Sequence, residues 1–263
     1  MKLLERPDTY GTFLDRLGSA SARVLLLDYD GTLAPFCADR DQAFPYPEVP
    51  ALLVRIMAAG TRVVLISGRP ARELVLLSGI HPHPEIWGSH GLERLRVDDS
   101  YEVGTLPRKH WEGLQVAART VRRDGLEHQM EFKPGGVAVH WRGLSSAVTE
   151  EIKNKVLQLW TPLLDEYRLG LLDFDGGLEI RAPGKTKGDA VNVILGESSA
   201  DAAVAYLGDD QPDEEAFRAL NGKGLTVLVR PQSRLTAAQV WLQPPQELIR
   251  FLQDWLLASG GKA

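Results

Sequence analysis

A single cysteine, Cys37, stands in 263 residues, so no disulfide can form within the chain and a disulfide-stapled secreted fold is excluded. Long hydrophobic runs are missing as well. No apolar stretch approaches the roughly 18 residues of a membrane span. The segment Met1-Lys2-Leu3-Leu4-Glu5-Arg6-Pro7 is too polar to read as a signal peptide. Neither charge sign dominates: 30 Lys and Arg stand against 35 Asp and Glu, a net charge of −5. Without a basic block there is no electrostatic footprint for nucleic acid or an anionic membrane. Low-complexity tracts and solenoid periods are also absent. What remains is the composition of an ordinary globular protein, 44% hydrophobic and 25% charged. The expectation is a soluble, cytoplasmic monomer whose partner is a small molecule, not nucleic acid or membrane.

Short apolar runs alternate with amphipathic stretches, the pattern of strand–helix units around a parallel sheet. Arg23–Asp28 (RVLLLD) and Arg62–Ile66 (RVVLI) lack a polar side and read as strands buried on both faces. Leu52, Leu53, Ile56 and Met57 repeat at helical spacing before a stop at Gly60. From about Leu95 to Ala182 the pattern changes to paired strands and two helices. Turns such as Pro134-Gly135-Gly136 and Asp175-Gly176-Gly177 point to antiparallel hairpins. Strand–helix units resume after that. The chain therefore reads as an α/β core over 1–94 and 183–263, interrupted by an α+β insertion over 95–182.

The strongest chemical signal is Asp28-Tyr29-Asp30-Gly31-Thr32-Leu33, directly after a buried strand. Groups at the carboxyl ends of parallel strands line the binding crevice. Two carboxylates spaced two residues apart suit phosphoryl transfer with divided roles. Asp28 would attack phosphorus, and Asp30 would protonate the leaving alcohol and later activate water. The plainer possibility is an Asp-Gly turn. A near copy, Leu171-Leu172-Asp173-Phe174-Asp175-Gly176-Gly177-Leu178, has Gly177 in place of the Thr32 hydroxyl and reads as a hairpin turn. Ser67-Gly68-Arg69 ends the second core strand, where a hydroxyl and a free N–H can hold a phosphate oxygen. Gly184-Lys185-Thr186 fails as a P-loop because Glu179 occupies the position of its first glycine. Lys187, before Gly188, is the better phosphate-site cation, with Lys185 left on the surface.

Gly208-Asp209-Asp210-Gln211-Pro212-Asp213-Glu214 follows another apolar strand. Glu214 and Glu215 suit a helix N-terminus. Asp209 at the strand end is different. If it meets Asp28 and Asp30, each pair of charges at ~4 Å repels by ~4 kcal/mol at an effective dielectric of 20. A divalent cation resolves this, and all-oxygen ligands beside a phosphate favour Mg²⁺. His81, His83 and His90 are irregularly spaced and make a poor metal site. His90, after the third strand, is better placed to meet substrate.

Together DYDGTL, SGR, the lysine of KG and GDDxxDE resemble the four motifs of the haloacid dehalogenase superfamily, in order. The resemblance implies a doubly wound parallel-sheet core with an inserted α+β cap. Within that superfamily the phrases HGLE, EFKPGGVAVHWR, LEIR and GDDxxDEEAF resemble the trehalose-6-phosphate phosphatases. This implies a Mg²⁺-dependent hydrolase acting on a sugar phosphate, with Asp28 as nucleophile and Asp30 as acid/base. Ser67 and Lys187 would hold phosphate, with Thr32, Gly68, Arg69, His90 and Gly91 beside the substrate. The metal would lie on Asp28, Asp30 through its backbone, Asp209 and Asp213. Glu131, Lys133, Arg142 and Glu179 would hold the sugar. Two positions depart from the family pattern: Pro212 stands for a common Thr, and Asp175 for a lysine that often precedes LEIR. A phosphatase for glucosylglycerol or mannosylglycerate phosphate, a signalling receiver, and an inactive regulatory domain remain as alternatives.

Overall fold

The structure is a computed structural model that describes residues 2–3, 9–37, 39–174 and 176–261. Contacts divide the chain into two compact units, Met1–Glu102 with Thr186–Ala263, and Val103–Lys185.

The first unit is built on a sheet. In chain order its elements are β1 (Lys2–Leu3), α1 (Thr9–Ser19), β2 (Arg23–Leu27), α2 (Val49–Ala58), β3 (Thr61–Ile66), α3 (Ala71–Ser78), β4 (Glu85–Gly88), β5 (Glu93–Leu95) and β6 (Tyr101–Val103). The second unit contributes α4 (Arg108–Arg123), β7 (Met130–Lys133), β8 (Gly136–His140), α5 (Ser146–Tyr167), β9 (Gly170–Phe174) and β10 (Gly177–Arg181). The first then resumes with α6 (Lys187–Glu197), β11 (Ala203–Gly208), α7 (Asp213–Leu220), β12 (Leu225–Val229), β13 (Val240–Leu242) and α8 (Gln246–Ala258).

Among the described residues the large sheet runs β1-β13-β12-β11-β2-β3-β4-β5-β6, parallel from β13 to β4. Alternation along the central strands explains the double winding. Leu25 and Leu27 of β2, Val63 and Leu65 of β3, and Ala205 and Leu207 of β11 pack with Phe13, Leu53, Phe251 and Trp255 from α1, α2 and α8. Val24, Leu26, Val64, Ile66 and Val204 point the other way and meet Val191, Ile194 and Phe217 from α6 and α7. Both faces are covered, which is why the runs show no polar period. α6 opens with a capping box: the Thr186 side chain accepts from Asp189 N–H, and the Asp189 carboxylate accepts from Thr186 N–H.

In the second unit β7-β8-β10-β9 form an antiparallel sheet with α4 and α5 on one face. Val137, Val139, Leu178 and Ile180 pack there with Leu114, Val121, Val156 and Trp160. Both expected hairpins form, pairing Lys133 with Gly136 and Phe174 with Gly177, while Asp175 lies outside the described residues.

One stretch sits elsewhere than its sequence suggests. Leu95–Val97 with Tyr101–Val103 reads as the start of the insertion, yet β5 and β6 continue the large sheet. β5 turns back antiparallel on β4, with Trp87 opposite Arg94. The reason is ionic. Arg94 donates to Glu85 at 2.8 Å and to both oxygens of Glu197 at 2.7 and 2.8 Å, so a charged three-residue strand is held at the sheet.

Candidate active site

Asp28 follows the last residue of central strand β2, and its N–H donates to Leu207 O of β11 at 2.9 Å. The carboxylate is buried. Oδ1 accepts from Lys187 Nζ at 2.5 Å, and Oδ2 accepts from the Thr32 hydroxyl at 3.3 Å. Lys187 is the first residue of α6, so the capping box sets where its ammonium points. That ammonium also donates to Asp213 Oδ1 at 2.7 Å.

Asp213, the first residue of α7, is fully engaged. Oδ1 takes the Tyr206 hydroxyl at 2.6 Å as well as Lys187, and Oδ2 takes the N–H groups of Asp209 and Asp210, each at 3.0 Å. The turn needs Gly208, because a Cβ there would lie 2.4 Å from Asp213 Cγ. Asp209 is the opposite case. Its Oδ2 is buried without a hydrogen-bond partner, and Gly31, at φ +83°, leaves room beside it that a Cβ would fill at 2.3 Å. Carboxylate oxygens of Asp28, Asp209 and Asp213 all lie within 4.8 Å of one another.

The electrostatics follow from this crowding. Burial, against the pull of Lys187, pushes Asp28 up to about 7, with Asp213 and Asp30 adding repulsion. Burial raises Asp209 well above the carboxylate range, reinforced by Asp28 and Asp213. Burial works against the Lys187 charge, but Asp213 and Asp28 outweigh it and raise its pKa. An orphaned buried carboxylate oxygen among hard oxygen donors is the chemistry of a divalent-cation site. The lone pairs of Asp213 are already used, and it fixes Lys187 and the Asp209 loop, whereas Asp28 and Asp209 keep carboxylate lone pairs that could serve a cation.

The other expected residues divide. Ser67 is buried after β3, its Oγ accepting Arg69 N–H at 3.1 Å. Gly68 lies under the His90 ring, where a Cβ would meet ring atoms at 2.8 Å. Ser89 and His90 both adopt positive φ, 48° and 56°, and donate their N–H groups to Arg69 O and Ser67 O at 2.9 Å. Consecutive left-handed non-glycine residues store strain, which concentrates at functional loops. Glu93 holds this loop by accepting the Ser89 hydroxyl, the Tyr101 hydroxyl and Ala71 N–H. Gly91, at φ +102°, brings the loop against Thr186 O, which a Cβ would meet at 3.0 Å.

Asp30 and Arg69 are paired with each other, and the Asp30 carboxylate is not among the clustered oxygens. Lys185 is exposed, His83 is bound to Asp99, and Asp173, on strand β9, is exposed and pairs with Lys153. Glu214, expected only at a helix start, is buried and paired with Arg234.

In the second unit, register places Glu131, Ala138 and Glu179 side by side across β7, β8 and β10. Lys133 pairs with Glu179 at 2.7 Å, both side chains buried, and Glu131 pairs with His140 at 2.9 Å. A Cβ on Gly136 would strike Glu179 Oε1 at 2.3 Å, and one on Gly176 would reach Arg142 Nε at 3.0 Å. These polar groups occupy the sheet face opposite α4 and α5.

The core that carries a carboxylate after a central parallel strand, a lysine at a helix start and an orphaned aspartate at the neighbouring strand end has the fold of solved haloacid dehalogenase-like hydrolases. The trehalose-phosphatase family model matches residues 26–243, and the chain belongs to that family. It is 29% identical to trehalose-phosphate phosphatase B of Arabidopsis thaliana, over 97% of this chain and 73% of that one. The C-terminal domain of the Candida albicans trehalose-6-phosphate phosphatase shares the fold, with a TM-score of 0.78 and 19% identity over 100% of both chains. So does the C-terminal domain of a Candida albicans trehalose synthase regulatory protein, with a TM-score of 0.67 and 16% identity over 96% of this chain and 99% of that one.

Proposed function

We propose that this phosphoric monoester hydrolase cleaves trehalose 6-phosphate to trehalose and phosphate through an aspartyl-phosphate on Asp28. The observation that carries the assignment is the buried Asp28–Lys187 pair beside the unpartnered oxygen of Asp209. Family membership supports the substrate. The expected setting is the cytoplasm, with the chain working as a monomer on a small sugar phosphate.

An Asp28 oxygen attacks phosphorus, and the bond from phosphorus to the sugar oxygen breaks. Asp30 gives its proton to that oxygen, so trehalose leaves as the alcohol. Asp30 then takes a proton from water as the water oxygen attacks phosphorus. The Asp28–phosphorus bond breaks, restoring the carboxylate and releasing phosphate. Lys187 balances the charge of Asp28 before and after attack. The Ser67 hydroxyl and Gly68 N–H are the groups assigned to the phosphate oxygens, and the Thr32 hydroxyl, which donates to Asp28 Oδ2, is assigned to orienting the nucleophile. Asp28 and Asp209 would hold Mg²⁺, which when bound supplies positive charge against the phosphate dianion. Glu131, Lys133, Arg142 and Glu179 are the residues assigned to the sugar.

Two near-identical Asp-x-Asp-Gly segments make the sharpest test. Phosphate release should be fastest for trehalose 6-phosphate among a panel of sugar phosphates. Asp28→Asn should abolish turnover and labelling by beryllofluoride, and Asp173→Asn should retain nearly all activity on an aryl phosphate. An active Asp28→Asn enzyme, or an inert but folded Asp173→Asn enzyme, would overturn the site. Faster release from another glycosyl phosphate would overturn the substrate.

A further inference from the structure

The partners of Arg69 differ most from those its motif suggests. Its Nε donates to Asp30 Oδ2 at 2.7 Å and its Nη2 to Asp30 Oδ1 at 2.8 Å. The third arm, Nη1, donates to Glu73 one turn into α3. Arg40 adds a longer contact to the same Glu73 oxygen, at 3.4 Å. The guanidinium is only 4% exposed and lies 5.9 Å over the Tyr29 ring. Its backbone belongs to the phosphate loop, with N–H on Ser67 Oγ and C=O on Ser89 N–H.

A two-pronged guanidinium–carboxylate pair fixes the plane and direction of both groups. An acid/base that serves two steps at one phosphorus needs such placement, because an error of about 1 Å can cost about 100-fold in rate. It also needs an oxygen free to carry the proton. The fork provides for both: Nη2–Oδ1 can be released while Nε–Oδ2 and the Glu73 arm stay.

We propose that Arg69 is a positioning residue for Asp30, holding the acid/base carboxyl by a fork anchored on Glu73, and that its guanidinium does not grip phosphate. This rests on the reading of Asp30 as the acid/base. Both carboxylates held by Arg69 are 27% exposed, so water can reach them when the arginine is replaced.

The test is a double-mutant cycle read in the first turnover. For a sugar phosphate the leaving alkoxide needs a proton, whereas a nitrophenolate does not. Arg69→Met should slow first-turnover sugar release by about 10–100-fold, the scale of a misplaced acid/base. Release of nitrophenolate and inhibition by inorganic phosphate should stay near wild type. The Arg69→Met/Asp30→Asn double variant should be no slower than Asp30→Asn alone, since both act through one group. Glu73→Gln, which keeps the fork but loosens its anchor, should show the same leaving-group pattern with a smaller loss, and serves if Arg69→Met does not fold. Additive losses, equal losses for both leaving groups, or weakened phosphate inhibition would overturn the proposal. If Asp30→Asn itself fails to separate the leaving groups, the acid/base reading falls instead.

Discussion

Asp209 carries the least comfortable charge of the site. Its buried oxygen lacks a partner, and Asp28 beside it is already pushed up to about 7 by burial. The sign follows from linkage. A carboxyl whose folded pKa is raised favours the fold while protonated, so its contribution is full below the ordinary value of 3.8 and is lost as pH rises through about 7. Without a divalent cation the chain should lose stability from this site over that interval. Asp209→Asn should flatten the decline, because an amide removes one of the crowded charges, but it should also abolish turnover. Mg²⁺ should stabilise the wild type more above pH 7 than below pH 4, and barely stabilise Asp209→Asn. Denaturation curves with EDTA and with Mg²⁺ across the range would read this directly. Identical pH profiles for the two proteins would refute the crowded-charge account.

At the scale of elements, strand ends and helix starts set the chemistry, and that is the part the sequence makes legible. RVLLL, RVVLI and AVAYL are apolar on both faces, so their ends at Asp28, Ser67 and Asp209 can be located without coordinates. The Arg69–Asp30 fork is not legible that way, since two motifs far apart in the chain must meet before the guanidinium shows its partner. Tyr206 beneath Asp213 gives no signal, being one more apolar position in a buried strand. Glu73 gives none either, since Arg69 lies before the start of α3 and the two form no helix-face pair that spacing would reveal. The edge strands β5 and β6 are short and charged, and only their ionic partners reveal where they pair. The start of α6 allows a quantitative test. Thr186→Ala should cost about 1 kcal/mol of stability, and Thr186→Gly only a few tenths. Because the next residue is Lys187, kcat should follow the same order, with alanine the slower. Equal kcat for both variants would mean that the cap does not set the lysine.

For the whole molecule, phosphate chemistry and sugar recognition are assigned to separate units, so they should fail separately. The Asp28–Lys187–Asp209 cluster belongs entirely to the first unit, and the Lys133–Glu179 and Glu131–His140 pairs entirely to the second. One fold hosts many activities, so the fold alone does not decide this one. Glu179→Gln is the informative change. Either glutamine or alanine removes the charge that pairs with buried Lys133, and loss of one partner of a buried ion pair costs about 3–5 kcal/mol. Glutamine keeps the shape and an acceptor oxygen for the ammonium and so disturbs folding less than alanine. A hydrogen bond to a charged group contributes about 1.5–3 kcal/mol, so kcat/KM for trehalose 6-phosphate should fall by about 10–100-fold. An aryl phosphate has no second sugar for these residues to hold, and its kcat/KM should stay near wild type. Parallel losses on both substrates, in a variant with unchanged thermal unfolding, would move Glu179 from sugar recognition to the phosphate chemistry itself.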